Sequence, residues 1–590
     1  MTERSGHVLE TLREGAEFTH YRGRQHGRPV LVVALTAEQP SPQSLRRLEH
    51  EYSLEAELDL AWASRPLALT RHEGRTMLVL EDPGGVPLDR ILDRCQGQPM
   101  ELGRFLRIAS GVTAALGQVH RRGLIHKDIK PANILVDVES GQAWLTGLGI
   151  ASRLPRERQA PETPEVIAGT LAYMAPEQTG RMNRSIDSRS DLYALGITFY
   201  EMLTGVLPFK ATTPMGWVHC HIARQAEPPA ERAQHIPEVL SSLVMKLLAK
   251  TAEERYQTAA GLEADLRRCQ TEWQAQRRIA AFPLGSHDLP ERLLIPERLY
   301  GREREVAALV AAYEDVVAHG TTELVLVSGY SGIGKSSVVN ELHKVLVPPR
   351  GLFASGKFDQ YKRDHPYATL AQVFKNLIRP IFGQSEAKLS RWQYSLQEAL
   401  GGNGALIVNL IPELEHIIGK QPPVADLSPL ETQQRFQMVF RRFVGVFARR
   451  EHPLALFLDD LQWLDAATLD LLEHLVTHPE VRYLLVVGAY RDNEVRPFDP
   501  LMRTLDDIRI STARVSEIAL APLALHDIEC LIADSLRCER AHTRPLSQLV
   551  QEKTAGNPFF VIQFISVLAE EGLIAFDRGS KTWDWDLARI

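Results

Sequence analysis

Apolar residues along this chain fall into short strand-sized runs and helical stripes. Residues 29–35 and 77–81 are apolar runs of strand length, separated by a polar helical stretch over 44–58, which predicts a small β-rich lobe with one helix. From residue 102 the apolar positions Phe105, Leu106, Ala109, Val112, Leu116 and Val119 recur at spacings of three and four, predicting a helix with one buried face that ends near Gly123. Residues 278–296 are rich in proline and turn formers and have no period, so they read as a connector. Beyond it, Val306, Leu309, Val310 and Tyr313 mark another helix. Buried-type strands follow at 323–327, 454–458 and 483–489, the first leading into a helical pattern that runs through Leu346.

A chain of 590 residues is too long for one core, and domains of about 150 residues predict roughly three to four. Lys plus Arg total 67 against 74 Asp plus Glu, so the net charge of −7 gives no basic field to recruit nucleic acid. The five cysteines are odd in number and contain no CxxC pair, the pattern of reduced thiols, so neither disulfides nor zinc are expected. The first thirty residues are charged throughout. The longest apolar runs, 31–35 and 484–487, fall far short of the ~20 residues a membrane helix needs, so the expected location is cytoplasmic. His219, Cys220 and His221 stand together, but helical neighbours one and two apart do not face one another, and they carry no metal reading.

The stretch HKDIKPANILV at 126–136 resembles the catalytic loop of a Ser/Thr protein kinase. The resemblance implies that Asp128 orients or deprotonates a substrate hydroxyl, Lys130 stabilises the transferring phosphoryl, and Asn133 holds a metal ion. It continues through GTLAYMAPEQ, where Ala175, Pro176 and Glu177 are similar to the family's APE element, and through Asp191 to Arg255, implying a buried Glu177–Arg255 pair. The likeness covers about residues 15–270 and departs where nucleotide is handled. Gly147 stands where the family has its metal-binding DFG aspartate. The strand at 30–35 lacks the phosphate-binding lysine that would pair with Glu51, and the first lysine in the chain is Lys127. The glycine-rich loop, placed at residues 21–27, has only two glycines. These departures predict a catalytically impaired, pseudokinase-type domain.

Straight after the strand at 323–327 comes Gly329-Tyr330-Ser331-Gly332-Ile333-Gly334-Lys335-Ser336, a P-loop pattern in strand–loop–helix context. Its glycines let backbone N–H groups turn to phosphates, Lys335 reaches the β and γ oxygens, Ser336 completes a Mg2+ shell, and Ser337 follows in the same cradle. The strand at 454–458 runs into Asp459 and Asp460 as a Walker B element does: Asp459 would hold the metal through water and Asp460 polarise the attacking water. Arg491, after the next strand, is either a γ-phosphate sensor or a surface ion pair.

YGREREVAAL, GYSGIGKSS, LFLDDLQWLD, GAYRDNEV and KTAGNPFFV, over about 297–570, together resemble the STAND class of AAA+-like signalling ATPases. That resemblance places Gly301, Arg302 and Glu303 by the adenine, and Gly556, Asn557 and Pro558 of a helical lid on the nucleotide. The pairing of the two halves is similar to the N-terminal half of bacterial multi-sensor hybrid histidine kinases. The chain ends at 583–590, where a winged-helix-like unit would begin, so a fragment of such an architecture is expected.

The expected fold is multidomain: an α+β bilobal kinase-like domain at 1–275, a linker at 276–297, an α/β P-loop NTPase core at 298–520, a helical lid at 521–575 and the start of a winged-helix-like unit at 576–590. The expected function is an ATP- and Mg2+-binding signal-transduction protein, a slow STAND-type ATPase switch coupled to an impaired Ser/Thr kinase-like domain. The alternatives are an active Ser/Thr kinase phosphorylating protein hydroxyls and a non-catalytic signalling scaffold. The partners implied are signalling proteins, including the sensory and histidine kinase modules of that architecture, with an ATP-dependent oligomer as a further option; neither nucleic acid nor membrane is expected.

Overall fold

The computed structural model describes the chain except residues 1, 5–6, 16, 38–39, 73–74, 154–170, 180–183, 290–292, 343–350, 359–365, 383–385, 425–427, 512, 578 and 581. It divides into two compact units, Met1–Pro290 and Glu291–Ile590.

The first unit opens with an antiparallel sheet of six strands: β1 (Thr2–Arg4), β2 (His7–Glu14), β3 (Phe18–Gln25), β4 (Arg28–Leu35), β5 (Pro66–His72) and β6 (Arg75–Glu81), in the order β1-β2-β3-β4-β6-β5. Side chains alternate across β4: Leu31, Val33 and Leu35 pack with Leu78, Leu80 and Leu48, while Val30 and Val32 pack with Val79 on the opposite face. Leu48 belongs to the one helix among the described residues of this lobe, Pro42–Tyr52, whose N-terminus is capped by Ser41 and started by Pro42. The helix stops at Tyr52, short of the expected residue 58. Ser53 turns its hydroxyl back to the His50 carbonyl, and the chain tightens into i→i+3 bonds at Leu54 and Glu57.

The helical lobe is built around Leu102–Arg121, whose predicted stripe Phe105, Leu106, Ala109, Val112, Leu116 and Val119 is buried throughout, with Gly123 at φ +76 beyond its end. Helix Ser188–Thr204 is buried on nearly all sides. Between the lobes lies a small sheet of β7 (Val86–Pro87), β8 (Ile134–Val136) and β9 (Ala143–Leu145). The connector expected over 276–297 is bound into this unit over its first part: buried Asp288 accepts the backbone N–H groups of Gln257 at 2.6 Å and Thr258 at 2.9 Å.

The second unit is a parallel sheet of β10 (Thr322–Ser328), β11 (Leu352–Lys357), β12 (Leu454–Asp459), β13 (Leu484–Tyr490) and β14 (Arg514–Ala519), in the order β11-β12-β13-β10-β14. β12 and β13 are buried along their whole length, as strands covered on both faces must be. Helices Ala368–Phe382, Glu386–Leu400 and Pro429–Phe447, which the sequence reading did not identify, supply much of the cover on one face. After the P-loop, helix Lys335–Asn340 is described; the expected continuation to Leu346 lies outside the described residues. Helices Leu525–Leu536, Arg540–Thr554 and Pro558–Glu570 form a bundle with its own core, including Ile528, Leu546 and Ile565. Where a winged-helix-like unit was expected to start, β15 (Ile574–Asp577) and β16 (Thr582–Trp585) form a hairpin whose Trp583 joins that core. Among the described residues no helix is long and apolar enough to cross a membrane.

Candidate functional sites

In the first unit the catalytic-loop residues come together. Helix Ser188–Thr204 positions the loop: the Asp191 carboxylate accepts the backbone N–H groups of His126 and Lys127, each at 2.8 Å. Lys130 Nζ lies 2.7 and 2.9 Å from the two Asp128 oxygens, and Asn133 Nδ2 donates to Asp128 Oδ2 and to its backbone carbonyl, both at 2.8 Å. The three side chains therefore satisfy one another.

The cleft beside them is lined by Leu12, Arg13, His20, Leu31, Val33, Leu80 and Gly147. Leu31 and Val33 of β4 both turn into this cleft, and Val33 stands where the kinase pattern calls for a lysine. Gly147 has φ +75, and a Cβ there would stand 2.9 Å from the Asn133 amide, so Asn133 fills the space a side chain would need. Glu51 accepts the backbone N–H of Gly147 at 3.2 Å. Burial, opposed by the N–H groups of Leu148 and Gly147 and reinforced by the charge of Asp128, pushes the Glu51 carboxyl up to about 7. Burial first, and then the charges of Arg13 and Lys130, holds His20 down to about 3, so it is neutral. Asn133 gives Asp128 its amide nitrogen and keeps Oδ1 as an oxygen donor, but Gly147 contributes no side chain, so the set lacks the carboxylate ligand of a metal that bridges phosphates.

One placement is corrected. Residues 21–27 are not a glycine-rich loop: they run from β3 through the His26–Gly27 turn into β4. The connection between the cleft-lining strands β2 and β3 is 15–17, with a single glycine, Gly15, whose N–H donates to the Phe18 carbonyl at 3.0 Å. The Glu177–Arg255 pair is present, buried and bidentate at 2.7 and 2.9 Å. His221 is engaged by Tyr193 Oη at 3.0 Å and the Leu171 carbonyl at 2.8 Å.

In the second unit the strand register sets the site. Ser328 pairs with Tyr490 and Lys357 with Asp459, so the C-terminal ends of β10, β11, β12 and β13 lie along one edge. Ligands in open α/β sheets bind at that edge. Gly329, Gly332 and Gly334 have φ of +147, +78 and +100, which other residues adopt only under strain, and a Cβ on Gly334 would meet nothing within 4 Å. Lys335 Nζ donates to the carbonyls of Gly329 at 2.7 Å and Tyr330 at 3.0 Å. Burial draws its ammonium below the ordinary value against the charges of Asp459 and Asp460. Ser336 Oγ donates to Asp459 Oδ2 at 2.8 Å, and Ser337 is half-buried beside it. A hydroxyl and a carboxylate in contact, next to a glycine-lined cradle, are hard oxygen donors that fit Mg2+ and a polyphosphate.

Asp460 sits at φ +59, ψ +50. It pairs with Arg491 Nε at 3.1 Å and Lys357 Nζ at 3.2 Å, and accepts from Gln462 at 3.0 Å. Burial raises its pKa, but Gln462, Lys357 and Arg491 together hold the carboxyl below the ordinary value. Arg491 also pairs with Glu494 at 2.7 Å, so it joins the site through Asp460. Arg302 is buried and donates to the carbonyls of Ala521 at 2.6 Å and Ile333 at 3.4 Å. Pro558 opens helix Pro558–Glu570 behind its cap Asn557, whose amide reaches the P-loop at Ser331, 2.9 Å away. Lys357 and Gln462 were not among the predicted site residues, and the reach of the Asn557 amide to Ser331 was not foreseen. β11 carries Ser355, Gly356 and Lys357 and so lacks the apolar run that marks a strand; its register beside β12 brings Lys357 to Asp460.

Residues 9–266 match the protein kinase domain model and residues 298–487 the AAA ATPase domain model. Hybrid signal transduction histidine kinase G of Dictyostelium discoideum is 29% identical over 513 residues, 73% of this chain and 15% of that protein. Serine/threonine-protein kinase PknB of Mycobacterium leprae is 38% identical over 168 residues, 28% of this chain and 26% of that protein. The probable serine/threonine-protein kinase CPE1738 of Clostridium perfringens is 34% identical over 262 residues, 44% of this chain and 37% of that protein. The chain thus spans well under half the length of each of these relatives. It carries a protein kinase domain followed by an AAA ATPase domain, homologous to a hybrid signal transduction histidine kinase and to PknB-like kinases.

Proposed function

We propose that this is an ATP-binding signal-transduction protein in which the AAA ATPase domain is the nucleotide site and the kinase domain is catalytically impaired. The observation that carries the reading is the contact of Ser336 with Asp459 beside Lys335 at the P-loop, set against Val33 and Gly147 in the kinase cleft. Lys335 would neutralise the β and γ oxygens, and Ser336 and Asp459 would hold Mg2+. A Mg2+ held there would supply charge neutralisation for the phosphate oxygens. Asp460 is ionised and can orient a water and take its proton as the water oxygen bonds the γ-phosphorus and the bond from that phosphorus to the oxygen of departing ADP breaks, but Lys357 and Arg491 compete for that carboxylate, which favours slow hydrolysis. Mg2+-ATP titration of the whole chain by calorimetry tests the assignment: Lys335→Ala should lose most ATP binding. Wild-type affinity in that variant would move the nucleotide to the kinase cleft.

A second reading, an active Ser/Thr kinase, draws support from Asp128, Lys130 and Asn133 standing within hydrogen-bond reach of one another and from relatives named as kinases. It lacks a side chain at Gly147 to hold metal and a cation at Val33 to hold phosphate.

A further inference from the structure

The last lid helix bears on the phosphate loop through a side chain whose two ends do different work. Asn557 Oδ1 accepts the backbone N–H of Phe559 at 3.1 Å, which caps helix Pro558–Glu570. Its Nδ2 donates to the Ser331 carbonyl at 2.9 Å. The orientation of the amide follows from its partners, because an N–H can only donate and a carbonyl can only accept. The Phe559 N–H also reaches the Gly332 carbonyl at 3.3 Å. The approach is close: a Cβ at Gly332 would lie 2.8 Å from Phe559 Cβ and 3.0 Å from Asn557 Oδ1.

Asn557 cannot slide along the loop. The preceding Gly556, at φ +72, accepts the Leu523 N–H at 2.8 Å, and a Cβ on it would stand 2.5 Å from the Leu523 carbonyl oxygen. Arg302 meanwhile takes the next loop carbonyl, Ile333, together with Ala521. The carbonyls of 331, 332 and 333 are therefore all held from outside the loop. A trans peptide is planar, so a carbonyl fixed toward the lid turns the following N–H the opposite way.

We propose that Asn557 is a positioning residue of the nucleotide site: by holding the Ser331 carbonyl it orients the Gly332 N–H and keeps the lid seated, which slows nucleotide release. The inference rests on the P-loop being the ATP site. Asn557→Asp separates the two roles, because the carboxylate still caps Phe559 but cannot donate to Ser331; Asn557→Ala loses both. Release of a fluorescent N-methylanthraniloyl-ATP from the whole chain with Mg2+ is measured by stopped flow, beside thermal unfolding of each variant. The Asp variant should release roughly 3- to 10-fold faster, the range of one lost hydrogen bond, with its unfolding midpoint unchanged. Release at the wild-type rate or slower overturns the proposal, as does faster release accompanied by a midpoint lowered as far as in the Ala variant, which would make the contact structural. Lys335→Ala is the control. If it abolishes binding while Asn557→Asp releases normally, only this proposal fails; if it binds normally, the assignment of the site fails and the proposal with it.

Discussion

At the P-loop two adjacent carboxylates have different partners, and the partners decide what each substitution does. Asp459 accepts the Ser336 hydroxyl, so it belongs with the groups that would hold metal in the ground state. Asp460 faces Lys357, Gln462 and Arg491. Asp459→Asn should weaken Mg2+-dependent nucleotide binding, whereas Asp460→Asn should spare binding and abolish hydrolysis, since a group turned to water acts only on the chemical step. Asparagine suits the second test because it tolerates the left-handed backbone found there. Steady-state hydrolysis with a parallel binding titration separates the two effects. Equal loss of binding in both variants would make the pair structural.

Among elements, helix Pro42–Tyr52 is held against the loop after β9 by Glu51, a carboxyl that burial has pushed up to about 7. Its folded pKa lies above the ordinary value of 4.5, so the stability it contributes is fully present below that value and lost as pH rises through about 7. Glu51→Gln should therefore flatten the pH dependence of stability between those limits, read from urea unfolding at pH 5 and pH 8; an unchanged pH slope would sink the argument. The ion pair Glu177–Arg255 joins the short helix Pro176–Thr179 to the segment before helix Ala259–Gln276, and both side chains are buried. Glu177→Gln leaves the guanidinium without its charge partner and should cost about 3–5 kcal/mol in the unfolding of this unit, measured by denaturant titration. A loss below ~1 kcal/mol would mean water reaches the arginine.

On the scale of the whole molecule, the described residues of the kinase domain and of the AAA ATPase domain form sites of unequal equipment. In the Lys335→Ala background, which silences the P-loop, the whole chain should transfer no labelled phosphate to generic hydroxyl substrates or to itself. The transition state would lack a metal ligand at Gly147 and a cation at Val33, and charge stabilisation of this kind supplies much of the rate in phosphoryl transfer. Transfer that persists there and disappears on Asp128→Asn would establish the kinase reading instead.

The motifs were legible along the chain because each depends on near neighbours. A P-loop needs a strand, glycines and a lysine in succession; a catalytic loop needs Asp128, Lys130 and Asn133 within one turn; a helix needs its apolar stripe. Absences were equally legible, since no conformation gives Gly147 a side chain or places a lysine before residue 127. Contacts between residues distant in sequence were not, except where the kinase resemblance implied one, as for Glu177 and Arg255. The sequence places the glycine-poor loop one strand too late, because β3 is partly exposed and β2 and β3 pair without a continuous apolar run, and only the strand order identifies the crossing between Glu14 and Phe18. Lys357 and Arg491 meet Asp460 from opposite sides of β12 only because parallel pairing aligns the strand ends. Asn557 meets Ser331 across 226 residues because the C-terminal helices fold back over that edge. Local chemistry is written in residue order, while partnership at a site is decided by register and by which elements share an edge, and those are properties of the packed core.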